Sequence, residues 1–149
     1  MIEERSTGQC NCGAVRFEIR GRLPGMYQCH CSLCRRQSGA GSNAATIVRR
    51  EDFDWLAGLD SISQWRKPSG FQSHFCNVCG CPVPNPFMAE KYLWIPVGLL
   101  DGAHSEIVAH VQLESRADWD VVTDAPTMLP HMPENIDDFI EYLYASSQR

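Results

Sequence analysis

Alternation of apolar and polar residues dominates the first half of the chain. Val15, Phe17 and Ile19 are interleaved with Arg16, Glu18 and Arg20, the two-residue period of a strand with one face in a core. Arg22-Leu23-Pro24-Gly25 breaks that pattern, and Met26 to Cys29 resumes extended structure. Ala44 to Val48 reads as a further strand. Ser61 to Trp65 and Phe71 to Phe75 read as two more, joined through the turn Lys67-Pro68-Ser69-Gly70. Tyr92 to Val97 is aromatic and β-branched, and Ile107, Ala109, Val111 and Leu113 alternate again. Pro82, Pro84 and Pro86 deny a helix to the stretch between and predict a loop there.

Convincing helical spacing is confined to the tail. Ile136, Phe139, Ile140 and Leu143 recur at helical intervals after Pro133, and Glu134, Asp137 and Asp138 gather at the end where the helix dipole favours negative charge. The pattern predicts a short C-terminal helix over about 134–145. No repeat, low-complexity tract or linker divides the sequence. The expectation is one mainly β domain spanning 1–149 with a terminal helix.

Composition narrows the function more than the fold. A chain of 149 residues can bury most of what it exposes when unfolded, so small size alone does not oblige it to bind metal. Its 13 basic and 18 acidic residues give a formal charge of −5 without long runs. Nucleic acid is therefore not an expected partner, since such domains carry a basic stripe. No stretch reaches the length of a membrane span, and the polar opening MIEERSTGQC shows no apolar leader. The expected location is cytoplasmic.

That expectation governs the reading of eight cysteines, at positions 10, 12, 29, 31, 34, 76, 79 and 81. In a reducing compartment clustered thiols hold metal more often than they form disulfides. The groups are Cys10-x-Cys12, Cys29-x-Cys31-x-x-Cys34 and Cys76-x-x-Cys79-x-Cys81. Residues two apart on an extended segment face the same way, so a C-x-C pair can present two sulfurs to one ion. A C-x-x-C pair does so from a tight turn, where Gly80 supplies a backbone conformation other residues resist. Zinc favours tetrahedral thiolate coordination. Pairing by type groups Cys10, Cys12, Cys76 and Cys79 and leaves Cys29, Cys31 and Cys34 as a local trio, but spacing alone leaves other divisions open. Iron suits a four-thiolate site as well, and zinc is preferred for a short chain without a redox signature. A redox use of Cys76-x-x-Cys79 is disfavoured by Gly80 and by the lack of a βαβ pattern.

Three segments, taken in order, resemble the glutathione-dependent formaldehyde-activating enzyme family, which also includes the zinc domain of centromere protein V. They are Gly8-x-Cys10-x-Cys12-Gly13-x-Val15-x-Phe17, Cys29-His30-Cys31-x-x-Cys34-Arg35-Arg36-x-x-Gly39-Ala40 and Phe75-Cys76-x-x-Cys79-Gly80. The stretch His110 to Trp119, with its Ser115-x-x-x-Trp119 segment, is similar to the family's closing strand. The resemblance covers about 6–125 and implies a zinc-stapled β-tent fold with two zinc positions. It implies that Cys10, Cys12, Cys76 and Cys79 form the structural site and that Cys29, Cys31 and Cys34 hold a second, catalytic zinc. The implied reaction condenses glutathione, or a similar thiol, with formaldehyde or a small aldehyde to an S-hydroxymethyl adduct, which is carbon–sulfur lyase chemistry read backwards. The rival is a non-catalytic zinc module that binds a small molecule or a protein.

The remaining candidates divide between chemistry and packing. Cys81 lies outside the family pattern and reads as a small buried hydrophobe or as an extra ligand. His30, between two cysteines on an extended segment, should point away from their sulfurs and act in packing or hydrogen bonding. Arg35 and Arg36 follow the trio and offer guanidinium groups to a ligand carboxylate, or else serve as surface charges or partners of an internal acid. Ser38 to Ser42 reads as an adaptable loop, without the pattern of a phosphate-binding loop. His74, His104, His110 and His131 lack ligand spacing, and Trp55, Trp65, Trp94 and Trp119 read as core or half-buried residues.

Overall fold

A computed structural model describes residues 4–102 and 104–147; residues 1–3, 103, 148 and 149 of the expected 1–149 domain lie outside them. The chain is mainly β, with twelve strands and two α-helices among the described residues. It divides into two compact units, one of residues 1–23 and 47–104, the other of 24–46 and 105–149.

In the first unit β1 (Arg5–Gln9) pairs antiparallel with β2 (Arg16–Arg20), which pairs with β5 (Phe53–Ala57), and β10 (Leu100–Asp101) closes the other edge of β1. The alternation read at Val15, Phe17 and Ile19 is the buried face of this sheet: all three are at most 1% exposed. Phe17 stacks on Phe53 with ring centroids 5.6 Å apart, and Trp55 meets Phe53 edge-on at 4.9 Å. Such offset and edge arrangements place positive ring edges against negative faces. The hairpin of β6 (Ile62–Arg66) and β7 (Gln72–Cys76) runs in register from Ile62↔Cys76 to Arg66↔Gln72, as the predicted turn requires. A second hairpin pairs β8 (Asn85–Phe87) with β9 (Tyr92–Pro96). The proline-rich stretch predicted as loop thus carries a short strand. It tolerates Pro86 because β8 lies at the edge of its sheet, where one side of the strand donates no ladder hydrogen bonds.

In the second unit the strand order is β12 (Thr127–Met128), β11 (Ile107–Val111), β3 (Met26–Cys29), then β4 (Asn43–Arg49), whose last residues pass into the first unit. The β11–β3 pair is parallel and sets Val111 opposite Cys29; β3 and β4 are antiparallel and set Cys29 opposite Asn43. A short helix, α1 (Ser32–Ser38), begins directly after Cys31. The tail forms α2 (Ile136–Ser146), whose Asn135 side chain caps the amide of Asp138 at 3.0 Å. Phe139, Ile140 and Leu143 are buried. Phe139 meets Tyr27 edge-on at 5.3 Å, and the Tyr142 hydroxyl donates to the Val108 carbonyl at 3.0 Å, fixing the helix to the sheet.

Candidate metal centres

The first sulfur cluster is built wholly within the first unit. Cys10 ends the stretch after β1, Cys12 lies in the following turn, and Cys76 closes β7. Gly13 donates to the Cys10 carbonyl at 3.1 Å, and Gly80 donates to the Cys76 carbonyl at 2.7 Å. Gly80 has φ +78°, a left-handed conformation that disfavours residues with a Cβ and lets the Cys76–Cys79 knuckle close. The result gathers the sulfurs of Cys10, Cys12, Cys76 and Cys79 within 4.8 Å of one another. Cys12 Sγ lies 3.7 Å from both Cys10 Sγ and Cys76 Sγ. Zinc–sulfur bonds of about 2.3 Å at tetrahedral angles set sulfurs about 3.8 Å apart, so the cluster fits that ion.

Backbone amides prepare these sulfurs for negative charge. The Val15 N–H points at Cys10 Sγ from 3.3 Å. The Cys79 thiol is brought down to about 6, first by the Cys81 backbone N–H and then by that of Cys12. Cys12 goes the other way, to about 12: the Ala14 N–H pulls it down, but desolvation and the sharing of protons with Cys10, Cys76 and Cys79 outweigh that pull. Four crowded sulfurs cannot all ionise without a countercharge, which a divalent ion supplies.

The second cluster lies in the second unit. Cys29 ends β3, Cys31 is the N-cap of α1, and Cys34 lies in its first turn. The Cys34 N–H donates to Cys31 Sγ at 3.4 Å, so a thiol takes the place that Ser or Asp usually fills at a helix start. The three sulfurs lie within 4.8 Å of one another. Hydrogen bonds from the Cys29 and Cys34 thiols bring Cys31 down to about 2. The same sharing pushes Cys29 up to about 11 and raises Cys34 as well. Proton sharing thus favours the thiolate at Cys31 over those at Cys29 and Cys34, and the trio can hold three negative charges only around a cation.

The two clusters contain seven of the eight cysteines, divided as pairing by type divided them. Cys81 joins neither; it packs against the apolar cluster of Cys10, Val15, Cys76 and Val83, as a small hydrophobe does. Burial pushes its thiol up. Arg35 does not face solvent as a free ligand-binding charge: its Nη1 donates to the His30 carbonyl at 3.1 Å and to the Ser115 carbonyl. Arg36 is exposed on α1. The Ser38–Ser42 loop is tied by the Ser38 hydroxyl, which donates to the Ser42 carbonyl at 3.0 Å and accepts the Ala40 N–H at 3.1 Å. Trp65 and Trp119 are exposed rather than half-buried. Sequence reasoning missed α1 itself and did not single out Asp120, whose carboxylate lies 3.4 Å from Nδ1 of the buried His30.

The chain is a mainly β protein that gathers four cysteines at one point and three at another, and each group could hold a metal ion. The particular family follows from comparison: the profile described as glutathione-dependent formaldehyde-activating enzyme matches residues 5–115, and the chain belongs to that family. A Halomonas elongata protein named "Putative glutathione-dependent formaldehyde-activating enzyme" is 32% identical, the match covering 75% of this chain and 77% of the relative. A crystal structure of a Rhodobacter sphaeroides protein shares the fold with a TM-score of 0.55 at 23% identity, over 68% of this chain and 99% of that one. No described helix is long and apolar enough to cross a membrane.

Proposed function

We propose that this protein condenses a small thiol, glutathione or a close analogue, with formaldehyde or another small aldehyde, and that Cys29, Cys31 and Cys34 form the reacting site around zinc. The observation that carries the reading is the unequal size of the two clusters, four sulfurs in one and three in the other. Four thiolates close a tetrahedral site, whereas three leave a position for an incoming group, the general difference between structural and catalytic zinc. On this reading Cys10, Cys12, Cys76 and Cys79 hold a structural zinc, within a zinc domain of about 6–125 to which the C-terminal helix is added. Zinc held by the trio would favour the thiolate form of an incoming thiol.

The chain's own groups supply the rest. The trio fixes the ion through sulfurs set by the end of β3 and the start of α1. Exposed Arg36, two positions beyond Cys34, offers a guanidinium to a carboxylate of the thiol substrate. In the reaction the thiol gives up its proton, and a sulfur electron pair forms a bond to the aldehyde carbon. The carbonyl π pair moves to oxygen, which takes a proton. Nothing is oxidised or reduced. Eight free cysteines favour a reducing compartment, and we place the protein in the cytoplasm.

Formaldehyde consumption with and without glutathione tests the activity against the spontaneous rate in protein-free buffer. A glutathione-dependent excess that disappears in Cys31→Ala supports the proposal. A rate equal to that of buffer contradicts it and favours the non-catalytic zinc module.

A further inference from the structure

Behind the trio the second unit buries two imidazoles. His30 is 2% exposed and His110 0%. Their rings meet through His30 Nε2 and His110 Nδ1 at 2.9 Å, so one proton lies between them. Among the described residues the outer nitrogens, His30 Nδ1 and His110 Nε2, have no partner in well-formed hydrogen-bond geometry, though the backbone of Thr123 lies close enough to His110 to favour its charged form. His30 Nδ1 nevertheless faces Oδ2 of Asp120 from 3.4 Å, just beyond the range of a made N–H···O bond. A buried donor left unsatisfied keeps its full desolvation penalty, so a carboxylate beside it is its natural acceptor.

The backbone of His30 is tied to the same part of the chain. Its N–H donates to the Val111 carbonyl at 3.1 Å, and its carbonyl accepts from Arg35, which also reaches Ser115. Both backbone polar atoms and one ring nitrogen of His30 are thus bonded, and the fourth polar atom looks at Asp120. Because His30 stands between Cys29 and Cys31, fixing it fixes the directions in which two of the three sulfurs leave the backbone.

Asp120 has a prepared seat. A Cβ on Gly41 would come within 2.6 Å of both Cγ and Oδ2 of Asp120. Gly41 has no left-handed φ, so the close approach of the carboxylate, not backbone conformation, is what calls for glycine there. The carboxylate therefore lies between the loop after α1 and the His30 ring, and the Asp120 N–H closes a turn onto the Ala117 carbonyl at 3.1 Å.

We propose that Asp120 is a positioning residue of the trio: seated on Gly41, it accepts the Nδ1–H of His30 and thereby holds Cys29 and Cys31 where they share one ion with Cys34. This rests on the reading of the trio as a metal site, not on the reaction proposed for it. Cobalt(II) titration of the full chain, followed through sulfur-to-cobalt charge-transfer absorption, tests it. Asp120→Ala and Gly41→Ala should weaken the second equivalent on the order of 10–100-fold, the usual effect of losing a group that orients metal ligands, with the first equivalent unchanged. Asp120→Asn should recover most of that affinity, because its amide oxygen can accept the same proton. A second equivalent in Asp120→Ala with the affinity and spectrum of the parent overturns the proposal, as does an Asn variant as weak as the Ala one. Nitrogen-15 spectra of the zinc-loaded parent give an answer that needs no variant: His30 should carry its proton on Nδ1, and a bare Nδ1 overturns the role. A parent that takes up two ions yet leaves formaldehyde untouched contradicts the reaction alone, and the Asp120 variants still decide the positioning role. A parent that takes up a single ion overturns both.

Discussion

The sulfurs of Cys12 and Cys76 stand 3.7 Å apart although 64 positions separate the two residues in the chain. An ion shared between them would close a long loop of the chain. Its binding energy is then also folding energy, because an unfolded chain offers no preformed site.

Removing that ion should therefore lower the stability of the fold. Strong chelation, or Cys12→Ser, is expected to reduce the thermal midpoint substantially, since structural zinc sites in peptides bind with about 10–16 kcal/mol. Calorimetry with and without chelator checks this. A midpoint unmoved by complete metal removal contradicts a structural role for Cys10, Cys12, Cys76 and Cys79.

Loading the trio should release protons. Without metal, Cys31 lies at about 2 and is already a thiolate at neutral pH, while Cys29, at about 11, and Cys34, also raised, keep their protons. Binding an ion to three thiolates must then expel two protons, so affinity rises with pH, by about two decades per pH unit near neutrality. Titration calorimetry of the second equivalent in buffers of different ionisation heat measures the number directly. Zero protons released contradicts ligation by all three.

Substitution of His110 isolates the imidazole pair. His110→Ala leaves His30 Nε2 buried without the partner it has at 2.9 Å, an expected loss of about 1–3 kcal/mol in urea unfolding. The double variant His30→Ala/His110→Ala should cost less than the sum of the two single changes, because the shared bond is lost only once. Strict additivity contradicts the coupling.

Leu143 tests the docking of α2. It is fully buried on the helix, and Leu143→Ala should cost about 2–5 kcal/mol through lost burial and the cavity left behind. A loss below about 1 kcal/mol, the size of a surface effect, means the helix is not packed as described.

Much of this fold was legible in the sequence because apolar alternation survives wherever one sheet face is buried. The strands at Phe17 and Tyr27 follow it, those at Ile47, Tyr92 and Val108 are instead buried along almost their whole length and read as near-continuous apolar runs, and the helix at Phe139 and Leu143 follows its own period. Strand β5 escaped although Phe53, Trp55 and Ala57 alternate in it, and two further elements that escaped lack the signal altogether. Strand β1, Arg-Ser-Thr-Gly-Gln, has no apolar side chain; it is specified by pairing on both edges and by Gly8, where a Cβ would lie 2.4 Å from the Phe17 ring. Helix α1 is seven residues long, buries no residue and is capped by a thiol, so neither periodicity nor the usual capping residues announce it.

The candidate site divides in the same manner. Spacing suggested the four-and-three division of the cysteines, and the proximity of their sulfurs matches it. The groups behind the trio were not readable, because the contacts of His30 with His110 and of Arg35 with Ser115 each span 80 positions. In sequence Arg35 reads as a ligand-binding charge, a surface charge or a partner of an internal acid; the folded chain shows it donating to the backbone carbonyls of His30 and Ser115.

Anomalous scattering at the zinc edge, taken together with the metal content of the protein as purified, decides whether both sulfur clusters hold metal. Two ions per chain are expected, one surrounded by the sulfurs of Cys10, Cys12, Cys76 and Cys79 and the other touching those of Cys29, Cys31 and Cys34. A chain holding one ion, or an ion at the second position bound by other residues, contradicts that expectation.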